Sequence, residues 1–149
     1  MKRLILLAMM VLPAIAIAQL PHYTKITNKY NGVEGATVMT INKQMMSMLA
    51  INDPSLDMVD EITILLSEDA TIASGIVDEA KKAIKKSKIE ELASQTANGS
   101  TFMIYTKREG NKLTDIVVII ENEKPAGFIV ISGNIPEDKI NEIVKVVNK

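Results

Sequence analysis

Apolar positions recur along this chain with two periods, and each period marks a different kind of element. The period of two is clearest between Ser100 and Gly133. There, apolar runs at 101–107, 113–121 and 127–132 are separated by the turn-type stretches 108–112 and 122–126. β-branched and aromatic residues dominate the runs, and connections of about five residues are too short for a parallel crossover. The pattern predicts a three-strand antiparallel meander. Two further strands are predicted at 35–42 and 62–66, where side chains alternate in the same way.

The helical period appears in the rest of the chain. Tyr23, Ile26 and Tyr30 share a face ahead of the stop signal Asn31-Gly32. Ile41, Met45, Met48 and Leu49 form a second apolar stripe, which leaves Met46 off the apolar side. Asp53-Pro54 starts a short helical turn reaching about Val59. The longest helix, 70–87, begins after Ser67-Glu68-Asp69 and turns Ile72, Ile76, Ala80, Ala83 and Ile84 inward. A short helical piece is expected at 89–93, and a final helix opens at Pro136 with Ile140, Ile143, Val144 and Val147 on its apolar face. The predicted fold class is α+β, a two-layer sandwich. It has about five mainly antiparallel strands, ends in the three-strand meander, and packs its helices on the sheet.

The meander is apolar on both sides. Phe102, Ile104, Val117, Ile119, Phe128 and Val130 interleave with Met103, Tyr105, Ile116, Val118, Ile120, Ile129 and Ile131. An antiparallel sheet with one wet face alternates apolar with polar instead, so the second face is expected to be covered. The N-terminal helix is one candidate cover and another protein chain is the other. Met103, Tyr105, Val118, Ile120, Ile129 and Ile131 are therefore the candidate interface residues.

The N-terminus changes the picture of where the protein works. Lys2 and Arg3 precede an apolar run, 4–12, and Ala16-Ile17-Ala18 has the small-x-small form that signal peptidase recognises. Residues 1–18 are expected to be a cleaved signal peptide and 19–149 a single α+β domain in the periplasm or outside the cell. The run is too short for a membrane span and contains Pro13, so no span is expected after cleavage. Without Lys2 and Arg3, 15 of the 17 basic residues face 18 acidic ones, a net charge of −3. That balance offers nothing to nucleic acid.

Composition narrows the chemistry further. The 149 residues are 47% apolar and only 3% aromatic, so aliphatic residues and Met must fill the core. Cysteine is absent and His22 is the one histidine, which removes thiol nucleophiles, disulfides and Cys-based zinc sites. Met39, Met45, Met46, Met48 and Met58 are soft donors suited to Cu(I), but Met also fills irregular core gaps, and core packing is the preferred reading. Asp53, Asp57, Asp60 and Glu61 lack the alternation of a calcium loop. Asp115 and Glu121 are the carboxylates best placed for acid/base work, though carboxylates on strands are expected to be solvated. Lys81, Lys82, Lys85, Lys86 and Lys88 complement the negative end of the long helix. Asn98-Gly99-Ser100 matches a glycosylation sequon and reads more simply as a tight turn. No metal, cofactor or catalytic residue is expected.

Taken in order, YTKITNKYNGVEG, ATVMTINKQMMSML, EITILLSED, FMIYTKREGNKLTDIVVII and GFIVISGNIPEDKINEIVKVVN resemble the domain-of-unknown-function 4252 family of exported bacterial proteins. The resemblance spans essentially the whole mature chain and rests on segment order, since none of the segments is a catalytic motif. It implies a compact domain in a Gram-negative envelope and brings no functional residues with it. Two function classes follow. One is a non-enzymatic binding or regulatory module that meets an envelope protein, or itself, through an apolar sheet face. The other is a carrier holding a small apolar ligand between sheet and helices.

Overall fold

The computed structural model describes residues 21–48, 54, 57–87 and 89–140. Its elements run α1 (Pro21–Tyr30), β1 (Ala36–Asn42), α2 (Lys43–Met48), β2 (Val59–Ser67), α3 (Ala70–Ser87), β3 (Glu90–Ala97), β4 (Ser100–Glu109), β5 (Lys112–Glu121) and β6 (Ala126–Pro136), closed by a 3₁₀ turn at Glu137–Lys139. The strands form one six-stranded sheet in the order β1-β2-β6-β5-β4-β3, and every neighbouring pair is antiparallel. The expected α+β class holds. The strand count rises from about five to six.

The additional strand is β3, over the stretch that Glu, Leu and Ala suggested would be helical. Asn98 and Gly99 both have positive φ, 55° and 83°, the geometry of a two-residue hairpin turn that matches strand twist. The hairpin sets β3 against β4 from Glu90 opposite Thr106 to Ala97 opposite Ser100. Pairing along β4 outweighs a helical propensity worth only tenths of a kcal/mol per residue. β3 is an edge strand, and all of its residues are exposed.

Two clusters divide the core by side-chain parity. On one face, Leu65, Val117, Ile119, Phe128 and Val130 pack under Tyr23 and Ile26 of α1 and under Ile76, Val77, Ala80, Ala83 and Ile84 of α3. On the opposite face, Val59, Ile62, Leu113, Ile116, Val118, Ile120, Ile129, Ile131 and Ile135 pack with Met46 of α2 and with Ile140. The N-terminal helix therefore shares the face of the long helix and does not cover the second one.

Local chemistry explains the helices. Asp69 Oδ1 accepts from the backbone N–H of Thr71 and Ile72 and caps α3, whose bounds match the predicted 70–87. Asn42 Oδ1 accepts from the Met45 N–H at the start of α2. Because the helix begins only after Asn42, Ile41 belongs to the strand and cannot set the helical stripe. Met46 is consequently the buried methionine at 5% exposure, while Met45 and Met48 face outward, the reverse of the expected stripe. β6 runs through Pro136, which stays extended as the N-cap of the 3₁₀ turn Glu137–Lys139, so the final helical stretch opens directly after Pro136 and not with it in the first turn. Ile140 is helical and buried, and Ile143, Val144 and Val147 lie outside the described residues, as do Asp53, Leu49 and residues 1–18.

Candidate functional site

The apolar floor beneath α1 and α3 turns polar at one end. Across five neighbouring strands, pairing puts Asn42 opposite Glu61, Glu61 opposite Ser132, Ser132 opposite Asp115 and Asp115 opposite Lys107. The next row inward reads Thr40, Thr63, Val130, Val117 and Tyr105. Polar groups thus lie side by side at 4.5–5.5 Å, the usual spacing of Cα atoms in paired strands, although they are far apart in sequence.

Three register shifts border this polar row: Val59/Glu61 in β2, Leu113/Asp115 in β5 and Lys107/Arg108 in β4. A bulge inserts a residue and resets which face the following side chains take. Here it allows Glu61 and Asp115 to join the helical face while Val59 and Leu113, two residues earlier in each strand, stay in the opposite core. Gly133 lies in the same irregularity. A Cβ there would stand 2.2 Å from the Met58 carbonyl oxygen, so only glycine allows β2 to approach so closely.

Between this end of the sheet and α1 is a cavity of about 290 Å³, lined by Tyr23, Thr24, Thr27 and Asn28 from the helix and by Thr40, Glu61, Thr63, Asp115, Val130 and Ser132 from the strands. Asp115 is 7% exposed. Its carboxylate accepts from Ser132 Oγ at 2.9 Å and from Thr114 Oγ1 at 3.3 Å. Burial pushes its pKa above the ordinary aspartate value, and these two hydrogen bonds with the nearby Lys107 charge oppose that shift. Thr63 Oγ1 donates to Glu61 Oε1 at 3.4 Å, and Thr27 Oγ1 donates to the Thr24 carbonyl at 2.9 Å.

Tyr23 is 3% exposed and packs tilted against Phe128, with ring centroids 5.7 Å apart. Its phenol oxygen is buried and has no hydrogen-bond partner among the described residues. Burial first, and the Asp115 charge second, raise its pKa well above the usual tyrosine range. Buried hydroxyls are nearly always hydrogen-bonded, which makes this one an exception among the described side chains.

The residues singled out from sequence distribute as follows. Met103 and Tyr105 pack on the helical face, while Val118, Ile120, Ile129 and Ile131 lie on the opposite one, so the six candidate interface residues do not form one surface. The latter four are buried, at 0–7% exposure. Asp115 and Glu121 share a face but stand six residues apart on β5, roughly 20 Å at the usual strand rise, and are no catalytic pair. Glu121 instead pairs with Lys81 of α3. The expectation of a solvated Asp115 is overturned by its burial. Among the methionines, Met39, Met45, Met48 and Met58 are exposed and Met46 is core. Among the described residues, no group of three or more His, Cys, Asp or Glu is gathered for a metal ion, and no helix is long and apolar enough to cross a membrane.

The cavity was missed because it is made by register. Asp115 inside the run LTDIVVII was the one local signal, a carboxylate among β-branched neighbours. Glu61, Thr40 and Tyr23 give no hint of convergence until the strands are paired.

A family model described as "Domain of unknown function (DUF4252)" matches residues 30–143. The resemblance read from segment order is borne out. No curated protein and no solved structure matches the chain.

Proposed function

We propose that this chain, which belongs to the DUF4252 family, is a non-enzymatic binding module of the bacterial envelope that holds a small polar ligand in the cavity beneath α1. The observation that carries the proposal is the cavity's lining: beside Tyr23, whose buried phenol has no partner among the described residues, its walls are hydroxyls, carboxylates and an amide, with Val130 as the one described aliphatic member. Binding pockets combine a shaped enclosure with a few convergent polar groups, and about 290 Å³ lies at the small end of their range. The location between sheet and helix is the one a carrier needs, but the lining suits a polar rather than an apolar cargo. Val118, Ile120, Ile129 and Ile131 we assign to the core, because they are buried against Met46, Ile140 and one another. The envelope setting is supported by the export-signal pattern of residues 1–18.

The test is an NMR titration of the exported protein with a panel of small amines, polyols, carboxylates and short fatty acids. The reading expects at least one polar compound to move the amide signals of Thr63, Asp115 and Ser132. The same compound should fail to do so in Thr40→Phe, where an exposed edge-strand residue is enlarged to fill the cavity mouth. A response to fatty acids alone, or to no compound in the panel, overturns it.

A further inference from the structure

The hydrogen-bond wiring of the cavity restricts what it can hold. Of its described lining hydroxyls, three already give their protons to the protein: Ser132 to Asp115, Thr63 to Glu61 and Thr27 to the Thr24 carbonyl. A hydroxyl that has donated presents only lone pairs to a visitor. With Glu61 and Asp115, five of the lining side chains accept and have little left to donate, and the two carboxylates give the strand wall a negative character that the neutral donors of Thr24, Asn28 and Thr40 do not balance. No lysine, arginine or histidine is among the described lining residues. The complement of such a site is rich in donors and carries positive charge.

We propose that the ligand is a compact primary amine, bound as its ammonium, whose three N–H groups reach the Glu61, Ser132 and Asp115 oxygens in the polar row. The row supports this geometry because Ser132 stands between the two carboxylates across adjacent strands. An ammonium is a small charge with three donors, which suits acceptors spread along a line better than the flat fork of a guanidinium does. The donor set that remains, Thr24, Asn28 and Thr40 beside the buried Tyr23, lies on the helix and the edge strand. It selects an amine that also bears a hydroxyl or carbonyl oxygen. Lys107 occupies the next position of the row beyond Asp115 and leaves the Glu61 side to the ligand. Anionic ligands face two carboxylates with no cation among the lining side chains, and are excluded.

This inference rests on the small-ligand reading above, and three isosteric probes separate the two. The probes are 4-amino-1-butanol, 1,4-butanediol and 4-hydroxybutyrate, cationic, neutral and anionic versions of one skeleton, each titrated into the exported protein with the amides of Glu61, Thr63, Asp115 and Ser132 as readout. The amino alcohol should bind at least about tenfold more tightly than the diol, and the hydroxy acid should leave the signals unmoved. Glu61→Gln should weaken the amine about tenfold and the diol hardly at all. Equal or tighter binding of the diol, or any binding of the hydroxy acid, overturns the amine assignment and leaves the small-ligand reading standing. An amine response insensitive to both Glu61→Gln and Asp115→Asn overturns it as well, with retained cooperative unfolding showing that each variant is folded. Silence from the amino alcohol overturns it too, and silence from the whole panel removes both readings.

Discussion

The two faces of this sheet are built from the same strands and differ in what their ends do. The face away from α1 and α3 is apolar from Ile120 and Ile129 at one end to Leu113 and Ile135 at the other. The helical face is equally apolar at its centre, around Phe128 and Val117, but breaks at one end into Glu61, Ser132 and Asp115. A continuous apolar face can only be packed, whereas a polar row walled by a helix can recognise. The register shifts hold both patterns in the same strands without sending Val59 or Leu113 to the cavity or a carboxylate to the core.

The comparison breaks most readily at the centre of each face. Phe128→Ala should cost about 3–5 kcal/mol and Ile131→Ala about 2–5 kcal/mol by denaturant unfolding, since both side chains are fully buried. If Ile131→Ala cost almost nothing while Phe128→Ala cost the full amount, the second face would not be core. Gly133→Ala tests the irregularity between the faces. Its Cβ would meet Met58 backbone, and a loss of about 1–3 kcal/mol is expected, with shifted amide signals at Asp60 and Ser132.

A smaller and pH-dependent effect belongs to Asp115. Its folded pKa is raised, so the folded state holds the proton more tightly than the unfolded state does. Stability from this group is thus present below the ordinary aspartate value of 3.8 and is lost as pH rises through the raised value. Tyr23 and Glu109 lie close enough to be coupled to this charge, and Lys107 works against it. Asp115→Asn removes the titration, and its stability relative to the parent should climb across that window. A flat difference between pH 3 and pH 7 would show that the hydrogen bonds from Ser132 and Thr114 fully offset burial. The smallest effect is expected at Met48, 79% exposed, where Met48→Gln should stay within about 0.5 kcal/mol in a thermal melt.

How much of this was legible in the sequence depended on the range of the interactions involved. Helix α3 was readable to its ends because an acidic cap and an i, i+4 stripe are local properties of 18 residues. The meander was readable because turn residues and β-branched runs alternate along one stretch. β3 was not, since its conformation is decided by β4 and by a two-residue turn. Met46 escaped because a strand-to-helix junction shifted the phase of its stripe. The candidate interface failed to form one surface because Met103 and Tyr105 pair with Ile119 and Val117, on the parity opposite to Val118 and Ile120. The cavity needed the register of five strands at once, which no single segment carries.

The strand order has a consequence for how the molecule comes into being. Among the described residues β6 is the last strand in sequence, yet it sits between β2 and β5 and is the one strand that ties the β1–β2 pair to the β3–β4–β5 ribbon. A chain that emerges N-terminus first can close those two pieces separately but cannot join them until residues 126–136 have arrived. Until then Leu65, Ile62, Val117 and Ile116 each have an open flank where β6 will lie. The nascent protein is consequently two incomplete ribbons awaiting a wedge, and it is most exposed to aggregation until that wedge is in place.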